Sequence, residues 1–258
     1  MKFRFLLGAY MVLVLASFNL YAQENMSRHI FEIKIYQISS EEQEAKIDDF
    51  LKNAYIPAMH QKGIDHIGVF KPIKTDSLAD KCIYVFTPFP TVETYMETVS
   101  NLHLSSLPSG KDYQDASYKQ PPFDRQEAIV LKAFSGMPGY GIPKLKGPKK
   151  ERIYELRSYE SPTEKLFHNK VKMFNSGEID IFDRLNFNAI FYGEVVAGPQ
   201  MPNLMYMTSF ENIEAGKAAW KSFGNDPGWI KLRDDKIYQN NVSHIDITLL
   251  YPAEYSDL

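Results

Sequence analysis

Two short runs of this sequence recur in the same order. Phe31-Glu-Ile-Lys-Ile-Tyr36 returns as Tyr154-Glu-Leu-Arg-Ser-Tyr159, 123 residues further on, and Tyr84-Val-Phe-Thr-Pro-Phe89 returns as Met205-Tyr-Met-Thr-Ser-Phe210, 121 residues further on. A repeat spacing of about half the chain, kept over about 60 residues, is too long for a solenoid or a propeller blade and reads as a duplicated small domain. Between the copies, Ser135 to Lys150 holds Gly136, Pro138, Gly139, Gly141, Pro143, Gly147 and Pro148, a composition that continues neither helix nor strand. The expected organisation is therefore one module at 24–135, a linker at 136–150 and a second module at 151–258, each of ordinary domain size.

Residues 1–23 stand outside both modules. Lys2 and Arg4 precede an uncharged apolar run, Phe5 to Phe18, and Ala22 follows at a position suited to cleavage, the order of a secretory signal peptide. The run is shorter than the roughly 20 residues that cross a bilayer. The expectation is an exported chain, periplasmic or extracellular, with no membrane span once the signal is cleaved. Removing Lys2 and Arg4 leaves 27 basic against 32 acidic residues, which argues against nucleic acid as a partner. The single cysteine, Cys82, lies in an apolar run and admits no intrachain disulfide.

Both modules show the order β-α-β-β-α-β, the ferredoxin-like plan of two helices on one face of an antiparallel sheet. In the second module, Arg152–Tyr159 alternates as a strand, Ser161-Pro-Thr-Glu164 reads as a helix start with Ser161 as N-cap, and Phe167, Val171 and Phe174 make a buried stripe. Strands follow at Asn186–Tyr192, Leu204–Phe210 and about 244–250, with Asn212 capping the second helix and Asp226 starting a further one. In the first module Ser40 caps a helix that buries Ile47, Phe50, Leu51, Ala54 and Ala58. Helices cover one sheet face and leave the other needing a partner, and the second module's sheet is the natural one. The fold class expected is α+β, two tandem ferredoxin-like modules packed sheet to sheet.

Alternation puts Phe31, Ile33 and Ile35 on one face of the first strand and Glu32, Lys34 and Tyr36 on the other. Tyr154, Leu156 and Ser158 likewise oppose Glu155, Arg157 and Tyr159. The apolar set is expected beneath the helices, which sends the repeated Glu–basic–Tyr set toward the space between the sheets. There it forms either a structural ion-pair network or the polar lining of a ligand cleft, with Tyr84, Tyr192 and Tyr206 available as walls. The six histidines show no compact metal spacing, so no metal and no cofactor are expected, and His66 is the first choice if one histidine is functional. No nucleophile motif or phosphate loop is present, so no catalytic residue is assigned. Trp220-Lys-Ser-Phe-Gly-Asn-Asp-Pro-Gly-Trp229 reads as a helix corner pinned by two indoles. The first module lacks it, so a site weighted toward the second is expected.

Three runs, Ile153 to Tyr159, Gly198-Pro-Gln-Met-Pro-Asn-Leu-Met-Tyr-Met-Thr-Ser-Phe210, and Trp220-x-x-Phe-x-x-Asp-Pro-x-Trp229, resemble the NIPSNAP family. The resemblance covers about 152–250, and the first module looks like a degenerate copy. It implies a dimeric α/β-barrel fold, here pseudo-dimeric within one chain, and no particular reaction. The expected function is an exported protein that binds a small, partly apolar ligand in the barrel cleft. Glu155 and Arg157 would orient its polar end, Tyr159, Tyr206 and Trp220 would form walls, and Glu32, Lys34, Tyr36 and His66 complete the candidate set. The alternatives are a cofactor-independent oxygenase or lyase, with Glu155 or His66 as acid–base, a haem protein, and a protein-interaction module. A homo-oligomer is compatible with each.

Overall fold

The structure is a computed structural model and describes residues 27–258; the signal peptide expected over 1–23 lies outside them. The first half runs β1 (Ile30–Gln37), α1 (Glu41–Phe50), α2 (Ile56–Gln61), β2 (Gly68–Pro72), β3 (Cys82–Phe89), α3 (Val92–Ser100), α4 (Pro108–Gln114) and β4 (Arg125–Ala133). The second runs β5 (Ile153–Glu160), α5 (Glu164–Met173), α6 (Ile179–Arg184), β6 (Phe191–Ala197), β7 (Asn203–Phe210), α7 (Ile213–Gly224), α8 (Pro227–Asp234) and β8 (His244–Pro252). Among the described residues no helix is long and apolar enough to cross a membrane.

The eight strands close into one antiparallel barrel in the order β1-β3-β2-β8-β5-β7-β6-β4. Each half supplies four adjacent strands, and the halves join at two seams. One pairs Phe70, Lys71 and Pro72 of β2 with Pro252, Tyr251 and Leu250 of β8. The other pairs β4 with β6 across a register shift at Val130/Leu131. Closure gives every strand a paired neighbour on both sides.

Helix starts follow local chemistry. Ser40 Oγ accepts from Gln43 N–H, and Gln43 Oε1 accepts in return from Ser39 N–H, so two donors at the start of α1 are satisfied reciprocally. Asn212 caps α7 through Ala215 N–H, and Asp226 caps α8 through the N–H groups of Gly228 and Trp229. The start of α5 differs from expectation. Thr163, not Ser161, is its N-cap and accepts from Leu166 N–H, because Ser161 is buried with its own N–H bonded to Pro202 O. α1 continues into α2 through a π-turn, Leu51–Tyr55, whereas α5 meets α6 across a kink within Phe174–Glu178, where Gly177 leaves the helical conformation. The π-turn redirects the first helix without breaking it, and the glycine breaks the second.

β6 also differs. The strand expected at Asn186–Tyr192 begins only at Phe191, because Asn186 and Asn188 adopt positive φ of 58° and 44° and form a loop. β6 instead runs through Gly193, where an added Cβ would sit 2.9 Å from Leu131 Cβ; the glycine lets β4 approach at the seam.

The core has three parts. Inside the barrel lie Phe31, Ile33, Phe70, Phe86, Leu131, Tyr154, Phe191 and Leu250. Phe86 and Phe191 stack at 5.1 Å, with Phe31 at 5.4 Å from each, so rings from both halves fill the middle. The two other clusters lie between the outer sheet face and the helices, one in each half.

This placement corrects the expected faces. Phe31, Ile33, Tyr154 and Leu156 point into the barrel, and the Glu–basic–Tyr set lies outward beneath the helices. The physical reason is partner supply. A filled barrel interior offers nothing to pair with a charge, whereas the helices bring phenols, an indole and counter-ions over the outer face.

Candidate functional site

The barrel is plugged at one end and open at the other. At the plugged end Tyr140, from the 135–148 segment, packs near Phe86 and His29, and its hydroxyl bonds His66 Nδ1 at 2.8 Å. Leu258 is buried in the same inner cluster. His66 therefore serves the plug, in a left-handed conformation at φ 62° before β2.

The open end forms a cavity of about 500 Å³. Its apolar wall is Ile35, Tyr84, Ile129, Leu156 and Met205; Ser158 and Thr248 add hydroxyls, and Asp76, Glu127 and Asp246 add carboxylates. The β2–β3 connection (Thr75–Leu78) and the β6–β7 connection (Pro199, Gln200) flank the entrance. A second hollow of about 740 Å³ shares Ile35, Leu78, Tyr84 and Glu127 and reaches Cys82. Burial raises the pKa of the Cys82 thiol and of the Tyr84 hydroxyl, so both stay neutral at ordinary pH.

The sequence-expected residues of the second half gather elsewhere, under α5 and α7. Arg157 Nε donates to Glu155 Oε1 at 2.6 Å and Arg157 Nη1 to Tyr159 Oη at 2.9 Å; the Tyr159 and Tyr206 hydroxyls lie 2.9 Å apart. Trp220 Nε1 donates to Glu155 Oε2 at 2.6 Å, and its ring lies 3.7 Å beneath the Arg157 guanidinium carbon. Burial disfavours the Arg157 charge, but the Tyr206 and Tyr159 phenols and the Glu155 carboxylate raise its pKa above the usual value. Lys170 pairs with Glu178 at 2.8 Å in the same layer. Burial pushes the Glu178 carboxyl up, against the pull of Lys170.

The first half repeats the layer in looser form. Lys34 pairs with Glu32 at 3.1 Å and lies over the Tyr55 ring at 5.2 Å. Tyr36 and Tyr113 hydroxyls stand 3.5 Å apart. Glu155, Arg157 and Tyr159 are thus mutually satisfied, while buried Glu32 Oε2 makes no hydrogen bond and has only the Lys34 charge at 3.1 Å, and the walls of the open mouth come from the opposite strand faces. Of the tyrosines expected to share one space, Tyr84 lines the mouth, while Tyr192 and Tyr206 are buried with Phe182 under the helices.

A further cluster stands at the lip of the mouth. Glu160 at the end of β5 and His244 at the start of β8 are cross-strand partners, and Asp246 is two residues along β8. One ligand-type atom from each lies within 4.8 Å of the others. Histidine spacing along the chain does not reveal this set, because two antiparallel strands supply it. The alternation His244-x-Asp246, putting both side chains on one strand face, is the signal that could have found it.

No curated protein matches the chain. Two solved structures, each of a protein called "putative monooxygenase", share the fold. That from Lactobacillus acidophilus is 12% identical, with a TM-score of 0.59 over 87% of this chain and 94% of its own. That from Fusobacterium nucleatum is 7% identical, with a TM-score of 0.57 over 88% and 93%. An anthrone oxidase-like protein is 5% identical, with a TM-score of 0.53 over 88% and 92%. At these identities the likeness is one of fold. The NIPSNAP family model matches residues 154–257. Over those residues, the C-terminal part of the chain is similar to the NIPSNAP domain.

Proposed function

We propose that the protein is an exported binder of a small, partly apolar molecule, taken up in the open mouth of the barrel. The observation that carries this reading is the 500 Å³ cavity at one end of a barrel filled in the middle and plugged at the other end. Its volume is of the size that small-molecule sites use, and its lining is apolar with a few polar groups. Leu156, Ile129 and Met205 would cover the apolar part, and Ser158 and Thr248 would meet hydroxyl or amine groups. The Glu155–Arg157 layer supports the reading from behind by fixing β5, rather than by touching the ligand. Export rests on the order of residues in the 1–23 segment.

Native mass spectrometry of protein purified from its own host tests the proposal. A bound species is expected on the wild-type chain and should be lost in Thr248→Trp, whose indole fills the mouth from a half-buried position. A wild-type chain that carries nothing, or a Thr248→Trp chain that carries the same species at the same occupancy, would reject it. Sequencing the N-terminus of the same preparation checks export, with a start near Gln23 expected.

A further inference from the structure

Three side chains at the lip of the barrel form a set that nothing in the fold requires. Glu160, His244 and Asp246 follow the alternation that also sends Ser158 and Thr248 into the mouth, so all three project from the strand face that lines it. His244 Nε2 and Asp246 Oδ1 stand 3.1 Å apart. Two ligands at right angles around a first-row divalent cation, each about 2.1 Å from it, lie about 3 Å apart. The His244–Asp246 spacing suits two groups sharing one ion, and Glu160 offers a third ligand atom within 4.8 Å of both. None of the three closes a core: His244 and Asp246 are exposed and Glu160 is half-buried. His244 and Asp246 pair with each other, and Glu160 adds a second carboxylate beside them.

A second observation lies directly across the ladder. Asn203 of β7 is the register partner of Glu160 and is 2% exposed. Its amide Nδ2 donates to Ser158 Oγ at 2.8 Å, while its Oδ1 is buried without a hydrogen-bond donor. A buried acceptor beside a carboxylate is costly unless a donor reaches it. The water ligands of a cation are strong donors, and they would occupy the positions that three protein ligands leave open. Asp246 also lines the cavity, so an ion held by the set would stand at the cavity's edge, where it could meet a small molecule.

We infer that Glu160, His244 and Asp246 bind a divalent first-row transition-metal cation at the mouth of the barrel, with its open coordination positions toward the cavity. One imidazole and two carboxylates suit zinc, manganese or iron(II) better than calcium or magnesium, which favour oxygen alone. The site does not depend on the small-molecule reading. Cation binding without a copurifying ligand, or the reverse, separates the two.

Titration calorimetry with Zn²⁺ on the chelator-stripped protein tests it. One equivalent should bind saturably. His244→Ala and Glu160→Gln should each weaken binding at least tenfold, and Asp246→Asn should do the same. His60→Ala should leave it unchanged, since His60 pairs with Asp257 elsewhere on the surface. All four positions are at least partly exposed, so the variants keep the fold, which circular dichroism checks. Absence of saturable Zn²⁺ binding overturns the inference, as does wild-type affinity in His244→Ala.

Discussion

A charge beneath a helix layer is tolerable only with a partner, and Lys170 and Glu178 show how narrow that tolerance is. Both are buried, 2.8 Å apart, and the aromatic rings of Phe174 and Trp229 lie near the ammonium group. Taking two charges from water is expensive, and their attraction repays it only while both remain. Glu178→Gln leaves the Lys170 charge without a counter-ion and should cost about 3 kcal/mol in urea denaturation. Adding Lys170→Met removes the orphaned charge, so the double variant should be more stable than Glu178→Gln alone. A double variant that loses the sum of the two single losses would mean that the pair is not coupled. Arg157 sits in the same layer with denser support: a carboxylate at 2.6 Å, a phenol at 2.9 Å and an indole face at 3.7 Å. In the second half the Glu–basic–Tyr pattern is thus explained by mutual satisfaction, the structural network that the sequence left open beside a ligand-orienting role.

Elements were legible where side chains act on their own backbone. Ser40, Asn212 and Asp226 cap the helices they were expected to cap, since a short polar side chain next to a helical run has one nearby use. Ser161 failed as a cap for a tertiary reason, a backbone bond from its N–H to Pro202 that holds it in the β5–β7 region. The two residues can be told apart by substitution. Thr163→Ala should destabilise the protein by about 1 kcal/mol through the lost bond to Leu166 N–H. Ser161→Ala should be close to neutral, because its buried Oγ has no partner to lose. Equal losses measured by thermal unfolding would return the cap to Ser161. The direction of the strand faces was not legible either. Alternation separates two sets but does not say which faces the barrel, and that choice depends on what the other half and the helices bring. The same limit hid the lip cluster, whose three members come from β5 and β8, 84 residues apart between Glu160 and His244.

At the scale of the molecule, one closed barrel couples the halves more tightly than two stacked sheets would. Each half has the order β-α-β-β-α-β and a bend at the same place in its first helical stretch, and each alone would expose an inner sheet face and two strand edges. The faces in question carry Phe31, Phe70 and Phe86 on one side and Tyr154, Phe191 and Leu250 on the other, all fully buried in the whole chain. Burying a large apolar side chain contributes about 2 kcal/mol, so neither half can leave such a face in water. The intact chain should therefore unfold in a single transition by both fluorescence and circular dichroism. A chain cut between the halves, within 141–147, should stay associated, because the seams and the shared ring cluster persist without the covalent link. The second half expressed alone, from 148 onward, should not be monomeric; it should pair with a second copy of itself to cover the same face and edges. Light scattering on the isolated half measures this directly, with a mass of two copies expected. A stable, cooperatively folded monomer would show that the face can be satisfied within one half, and that the barrel is a packing preference rather than a condition of folding.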